Sequence, residues 1–323
     1  MPSAPREQNR RSWNAVVPAH ASHRPGQAVF LRSGGSTLFP EELALLGDLE
    51  GRTLLHLLCN DGQDSLSLAA LGASVTGVDI SDAAIERARQ LSAESEIAAR
   101  FVRADLYDYL GALAGQRFER IYCGYGAICW LEDLAAFAHA VSAALAPGGH
   151  FALMEFHPAS NMFDPQWRLA YAYPAGGAPL TLPGISDYVA FSGDSLAPGG
   201  FAEGVVGFVN PHPCQLYRWG LGEVVSALAT ADLTLTALRE YTYVNGEQPF
   251  AHMLPGPGRR WHPPANVPAI PLMYGLAAQK GEAKGTGNRE QGTGRQAGDS
   301  GQGTGNRSSE TQHAGLAETL KRI

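Results

Sequence analysis

The stretch LLHLLCNDGQDSLSLA, residues 54–69, is an apolar run that breaks into a polar turn and resumes as a helix. The turn holds Leu58, Cys59, Asn60, Asp61 and a single glycine, Gly62, with His56 just upstream. A turn between a strand and a helix N-terminus presents backbone N–H groups to an anionic or polar ligand. Seventeen positions after Gly62, the β-branched run VTGVDIS reaches Asp79, a carboxylate placed to accept from ribose hydroxyls. Each residue also has a plainer role available. Asp79 can cap the helix that starts near Asp82, and Asp105 in ARFVRADL can cap LYDYLGALA. His56 fits a hydrogen-bonded core histidine, and Cys59 and Cys123 fit packing positions at strand ends.

These residues meet only if the elements carrying them lie side by side. RTLLHLL is an apolar run of strand length, DSLSLAALGA is helical and stops at Gly72, and SVTGVDI is a second strand. SDAAIERARQLSAE opens with a Ser81 cap and continues in helix formers. ARFVRADL and FERIYCGYG are third and fourth strands. LEDLAAFAHAVSAALA is a helix ended by Pro147, Gly148 and Gly149, and HFALMEFH is a fifth strand. Strands alternating with helices imply parallel βαβ units, because a parallel pair needs a crossover. The expected architecture is an open, doubly wound sheet with helices on both faces and its ligand beyond the carboxyl ends of the strands. From about 158 to 212 glycine, proline and aromatics predict a loop-and-hairpin insertion. LGEVVSALATA then gives a helix, and LTLTALREYTY and PLMYGLAAQK give an antiparallel pair closing the sheet.

A turn followed by an acid suits either a nicotinamide dinucleotide or S-adenosylmethionine. A dinucleotide site wants G-x-G-x-x-G, so that backbone can approach a pyrophosphate. Here Leu58 and Asn60 stand at the alternate positions before Gly62, with side chains where the pyrophosphate needs room. A sulfonium ligand has no pyrophosphate. A nicotinamide oxidoreductase is disfavoured on that ground.

In this order LLHLLCNDGQDSLSLAALGASVTGVDIS, FVRADLYDYL, YCGYGAICWLEDL and LAPGGHFALMEFHP resemble the class I S-adenosylmethionine-dependent methyltransferases over about residues 40–160. The resemblance implies a Rossmann-like α/β fold with a seven-stranded sheet, mostly parallel with an antiparallel last strand. It also implies a cofactor site. Leu58, Cys59, Asn60 and Gly62 would wrap the methionine end, Asp79 would hold the ribose, and Ile80 would pack on the adenine. Asp105 would reach the adenine amino group with Leu106 beside the ring, and Cys123, Gly124 and Tyr125 would lie near the transferable methyl. The family's usual acid at the start of the first motif is His56 here, and two of its glycines are Leu58 and Asn60.

The methyl acceptor must meet the cofactor at the same sheet edge. The N-terminal segment 1–40, with Trp13, Asn14, His20 and His23, is read either as a lid over the cofactor or as a helix and loop on the sheet edge. Tyr125, Trp130, His157 and the insertion's Phe163, Trp167, Tyr171, Tyr173 and Tyr188 predict a largely apolar pocket. His157, at the end of strand five, and Tyr125 are the candidate catalytic residues. His20, His23 and His157 have no spacing that specifies a metal, and none is expected.

The chain has 323 residues with a net charge of −7, and an acidic surface disfavours nucleic acid as a partner. It has no run of eighteen apolar residues for a membrane span, and its start lacks the apolar stretch of a secretion signal. Four cysteines without a CxxC pair read as buried free thiols in a reducing compartment, hence a cytoplasmic protein. The repeated GTGNR-type units of the 281–323 tail bury too little apolar area to order, so this segment is expected to be disordered. The expectation is a methyltransferase domain over 41–280, acting on a small organic acceptor. The alternative is a methyltransferase-like cofactor-binding or regulatory protein without catalysis.

Overall fold

A computed structural model describes residues 3–282; the tail expected to be disordered lies, from residue 283 on, outside the described residues. The chain opens with α1 (Ala4–Ser22), α2 (Gln27–Arg32) and α3 (Pro40–Leu46). The alternating region follows as β1 (Thr53–Leu57), α4 (Gln63–Ala70), β2 (Ser74–Asp79), α5 (Asp82–Ser95), β3 (Arg100–Arg103) and α6 (Leu106–Gly111). It continues through β4 (Phe118–Cys123), α7 (Leu134–Ala144) and β5 (Leu145–Phe156). The insertion holds β6 (Ala178–Leu182) and α8 (Tyr188–Ser192), and is followed by β7 (Cys214–Arg218) and α9 (Leu221–Thr230). The end of the fold comprises β8 (Leu233–Tyr241), β9 (Val244–Asn245), β10 (Leu254–Gly256), β11 (Arg260–His262) and β12 (Met273–Lys280).

Seven strands form one sheet in the order β3-β2-β1-β4-β5-β12-β8. The first five pair in parallel, and β12 runs antiparallel between β5 and β8. Strand order reverses at β1, whose neighbours are β2 and β4. Open α/β sheets bind ligands at such a point, beyond the carboxyl ends. Successive residues of β1 face opposite sides: Leu55 and Leu57 join a core with α6, α7 and α9, while Leu54 joins one with α3 and α4. Helices therefore cover both faces. The Ser81 hydroxyl accepts from Ala84 N–H at 3.1 Å and starts α5 as its residue type predicts.

The N-terminal segment 1–40 opens with the helix α1, which has Pro18 inside it, and continues through α2 and loops. Two features were not in the sequence pattern. The insertion's hairpin extends past residue 212, because β6 pairs with β7. The proline-rich passage builds a small sheet ordered β10-β11-β9. α1 and the β6–β7 ribbon share an apolar cluster of Val16, Leu180, Leu182, Ile185, Cys214 and Leu216. Asn9 locks the two together, donating to Gln215 O at 2.9 Å and accepting from Gln215 N–H at 2.7 Å. No helix among the described residues is long and apolar enough to cross a membrane. All four cysteines are free.

Candidate functional site

The turn after β1 has the backbone of a glycine-rich loop with two of its three glycine positions filled. Leu58, Asn60 and Gly62 have φ of 55°, 49° and 78°. The left-handed region costs a residue with a Cβ about 1–2 kcal/mol, and Asn tolerates it better than most. Gly62 is held by more than φ: a Cβ there would lie 2.7 Å from Ala88 Cβ and from the Phe101 ring. Asn60 braces the turn. Its Oδ1 accepts from Asp61 N–H at 2.8 Å, and its Nδ2 donates to the Tyr188 hydroxyl at 3.3 Å.

Asp79 ends β2 beside this turn. Its Oδ2 accepts from Asn60 N–H at 2.9 Å and its Oδ1 from Ser81 N–H at 2.8 Å. One bond on each oxygen leaves each a lone pair for a ligand hydroxyl. Burial pushes the carboxyl up to about 6. Asp105 caps α6, accepting from Tyr107 N–H at 2.9 Å and Asp108 N–H at 3.2 Å, and Arg6 of α1 pairs with it at 3.2 Å.

A cavity of about 200 Å³ runs along this edge of the sheet. Leu58, Cys59, Asn60, Asp79, Ile80, Asp105, Leu106, Gly124, Tyr125 and Trp13 line it together. His56 also lines it. Burial pushes its imidazole down to about 3, so the ring is neutral, and its Nδ1 lies 2.8 Å from Ser65 Oγ. Two residues expected at the cofactor stand outside the wall. Gly62 sits behind it against Ala88 and Phe101. Cys123 is fully buried, with its thiol against the Leu57 carbonyl.

His157, expected at the acceptor, is not among the residues lining this cavity. Phe156 lines the cavity and the next residue faces away, as strand alternation demands. His157 N–H donates to Leu272 O at 2.8 Å, prolonging the pairing of β5 with the last strand. Its Nδ1 accepts from Ala159 N–H at 3.0 Å, and its Nε2 lies 2.9 Å from a Glu240 carboxylate oxygen. The aromatic residues also divide. Tyr125, Trp130 and Tyr188 line the cavity, whereas Phe163 and Trp167 do not and pack in the cluster around Phe250 that Tyr125 also joins, and Tyr171 joins the α1–ribbon cluster. Tyr173 is exposed. His20 and His23 are buried under the insertion, at 3.0 Å from Ser186 O and 2.9 Å from an Asp187 oxygen. No group of three or more His, Cys, Asp or Glu that could hold a metal ion occurs among the described residues.

Several lining residues carry no signal in the sequence. Glu42 comes from α3, Asn245 from β9 and Arg259 from the turn before β11, and with Phe39 and Tyr125 they line the same cavity as the Leu58–Asn60 turn. Arg24, after α1, faces the same turn and pairs with Asp61 at 3.2 Å. Glu155 lies behind the wall, and its carboxylate accepts from the N–H groups of Gly126, Ala127, Ile128 and Phe156 at 2.7–2.9 Å. It thereby shapes the loop that carries Gly124 and Tyr125.

Residues 54–149 match a family described as Methyltransferase domain. A ubiquinone biosynthesis O-methyltransferase of Alkalilimnicola ehrlichii is 33% identical over 120 residues, 36% of this chain and 48% of that protein. A protein of the same name from Methylobacterium sp. is 29% identical over 147 residues, 43% of this chain and 55% of that one. The chain thus spans about half the length of the curated relatives it matches. An S-adenosylmethionine-dependent methyltransferase of Mesorhizobium loti superposes with a TM-score of 0.48 at 22% identity, over 76% of this chain and 99% of that one. The family match falls on the β1–β5 half of the sheet, so residues 54–149 are similar to a methyltransferase domain.

Proposed function

We propose that the chain is an S-adenosylmethionine-dependent methyltransferase acting on a small organic acceptor by in-line displacement. The observation that carries this reading is the shared cavity: the left-handed turn, Asp79 and Asp105 line it together with the aromatic residues Trp13, Tyr125, Trp130 and Tyr188. When bound, the cofactor supplies a methyl group on a positively charged sulfur. Asp79 accepts from the ribose hydroxyls with its two remaining lone pairs. Ile80 and Leu106 flank the adenine, Asp105 accepts from its amino group, and backbone around Leu58, Cys59 and Asn60 receives the methionine end. Fixed alignment of donor and acceptor supplies much of the rate of such a displacement. The segment before residue 40 acts as a lid: Trp13 packs edge-on against Trp130 at 5.5 Å, and α1 with the β6–β7 ribbon keeps water from the reacting atoms.

The relatives' names support a small-molecule acceptor, and the free cysteines support a reducing, cytoplasmic setting. A calorimetric titration with S-adenosylhomocysteine tests the cofactor site, and a folded protein that does not bind it refutes the reading. Incubating a cell extract with the protein and methyl-deuterated cofactor tests catalysis. Binding without label transfer would instead mark a cofactor-binding protein without chemistry.

A further inference from the structure

Asn60 stands where the first motif of the class I methyltransferases has a glycine, and its side chain is put to use. Its φ of 49° lies in the region that glycine enters freely and a residue with a Cβ enters at a cost. A glycine would make this turn as well, so what the asparagine adds is its amide. Asn60 Oδ1 accepts from Asp61 N–H at 2.8 Å, and that contact fixes which way the amide faces. The NH2 group is thereby turned to the Tyr188 hydroxyl at 3.3 Å, and the Tyr188 oxygen is the acceptor.

Tyr188 opens α8 in the insertion and lines the cavity. It is held from outside the cofactor turn. The His20 ring lies 4.2 Å from its own, and Asp187 beside it accepts from Ala190 N–H at 3.3 Å and faces His23 Nε2 at 2.9 Å. A hydroxyl that accepts one bond still has its proton to give. Among the described residues the Tyr188 hydroxyl makes no hydrogen bond besides the one from Asn60. Burial pushes the phenol up, Arg24 draws it down, and Glu247 and Asp61 add to the rise, so the proton stays on oxygen. The cavity therefore carries an O–H donor beside the Leu58–Asn60 turn, with its direction set by Asn60.

The charges around this donor are a matched pair. Arg24 and Asp61 both line the cavity, and Arg24 Nη2 lies 3.2 Å from Asp61 Oδ2. Arg24 Nε donates to His20 O at 3.3 Å, so its terminal nitrogens are the ones left for a ligand. A ligand group of one sign would attract one member of the pair and repel the other. An α-amino acid group brings both signs: its carboxylate suits Arg24 and the Tyr188 O–H, and its ammonium suits Asp61.

We propose that Tyr188 donates its hydroxyl hydrogen to the carboxylate of the cofactor's methionine end, and that Asn60 is the positioning residue that aims it. The inference rests on the methyltransferase reading and adds a grip on the cofactor that a glycine in the same place does not give. It also joins the insertion to the cofactor, because Tyr188 belongs to the insertion and Asn60 to the turn after β1.

The test is calorimetry on the full chain with two probes, S-adenosylhomocysteine and 5′-methylthioadenosine. The second has the same adenosine and sulfur but no amino-acid group. Tyr188→Phe should weaken S-adenosylhomocysteine ~10-fold or more, the scale of one hydrogen bond to a charged group, and leave 5′-methylthioadenosine within about twofold. Asn60→Gly suits the backbone of the turn and should weaken S-adenosylhomocysteine by about threefold or more, again without touching 5′-methylthioadenosine. Placed in Tyr188→Phe, it should add less than about twofold, because it acts through the hydroxyl that is already gone. Tyr188→Phe keeps the ring, and urea midpoints check that both variants fold. A Tyr188→Phe protein that holds S-adenosylhomocysteine as wild type does, or loses both ligands alike, overturns the assignment. So does an Asn60→Gly loss that is the same with and without the Tyr188 hydroxyl. A wild type that binds the two probes equally overturns the grip and leaves the cofactor reading standing, whereas a folded wild type that binds neither removes both.

Discussion

Asp79→Asn separates what Asp79 does for the fold from what it does for a ligand. The carboxylate holds two backbone N–H groups, from Asn60 at 2.9 Å and Ser81 at 2.8 Å. Asparagine has one acceptor oxygen, so one of these donors would face an NH2 group. Losing a bond to a charged, buried acceptor costs about 1.5–3 kcal/mol. Against this, burial holds the carboxyl at about 6 instead of 3.8. Removing the charge then relieves about 3 kcal/mol at neutral pH, at 1.36 kcal/mol per pKa unit. The raised value of the carboxyl already includes the lowering by these hydrogen bonds, so the ligand-free variant should unfold in urea no more easily than wild type at pH 7, and be more stable by up to about 3 kcal/mol.

Ligand binding has no such offset. Two ribose hydroxyls lose an ionised acceptor, which is about 2–3 kcal/mol, or ~30–150-fold in Kd for S-adenosylhomocysteine. The pH dependences run in opposite directions. Because the folded value lies above the unfolded one, the stability contributed by Asp79 is present below pH 3.8 and is lost as pH rises through about 6. Affinity for the ligand needs the carboxylate, so it falls as pH drops through about 6 in wild type and not in the variant. Calorimetry from pH 5 to 8 measures both. A variant that binds within about threefold of wild type, or a wild-type Kd that is flat over that range, refutes the ribose assignment.

Three further outcomes follow from the same geometry. Asn60→Ala should lose about 1–2 kcal/mol more in urea unfolding than Asn60→Gly, because its φ of 49° disfavours a Cβ without an Asn side chain to brace it; equal midpoints would sink that account. Glu155→Ala strips four backbone N–H groups of their acceptor and should cost ~3 kcal/mol or more, with Glu155→Gln, which keeps one oxygen, intermediate by the same assay. His157→Ala should leave S-adenosylhomocysteine affinity and turnover within about threefold of wild type, since the ring lies away from the cavity; a tenfold fall in kcat with folding intact would return it to the mechanism.

The sequence by itself determined the β1–β5 half of the sheet and the end of the cavity assigned to the cofactor. Those signals are local. An apolar run of strand length, a Ser81 cap, and acids at 79 and 105 act through their own few neighbours, so their positions followed from order and spacing. Even there, the backbone of the turn was hidden, because Leu58 and Asn60 adopt a conformation their residue types do not announce. Tertiary structure alone decided the rest of the cavity wall. Glu42, Asn245 and Arg259 are separated by up to 217 positions, the span from Glu42 to Arg259, and meet because α3, β9 and the turn before β11 converge on one edge of the sheet. The same holds for His157. Its residue type and its place after strand five invited a catalytic role, but alternation along β5 gave the cavity to Phe156 and turned His157 toward Glu240. Which side of a strand a residue faces at its last position depends on what pairs with it next, and here that partner is the backbone of Leu272.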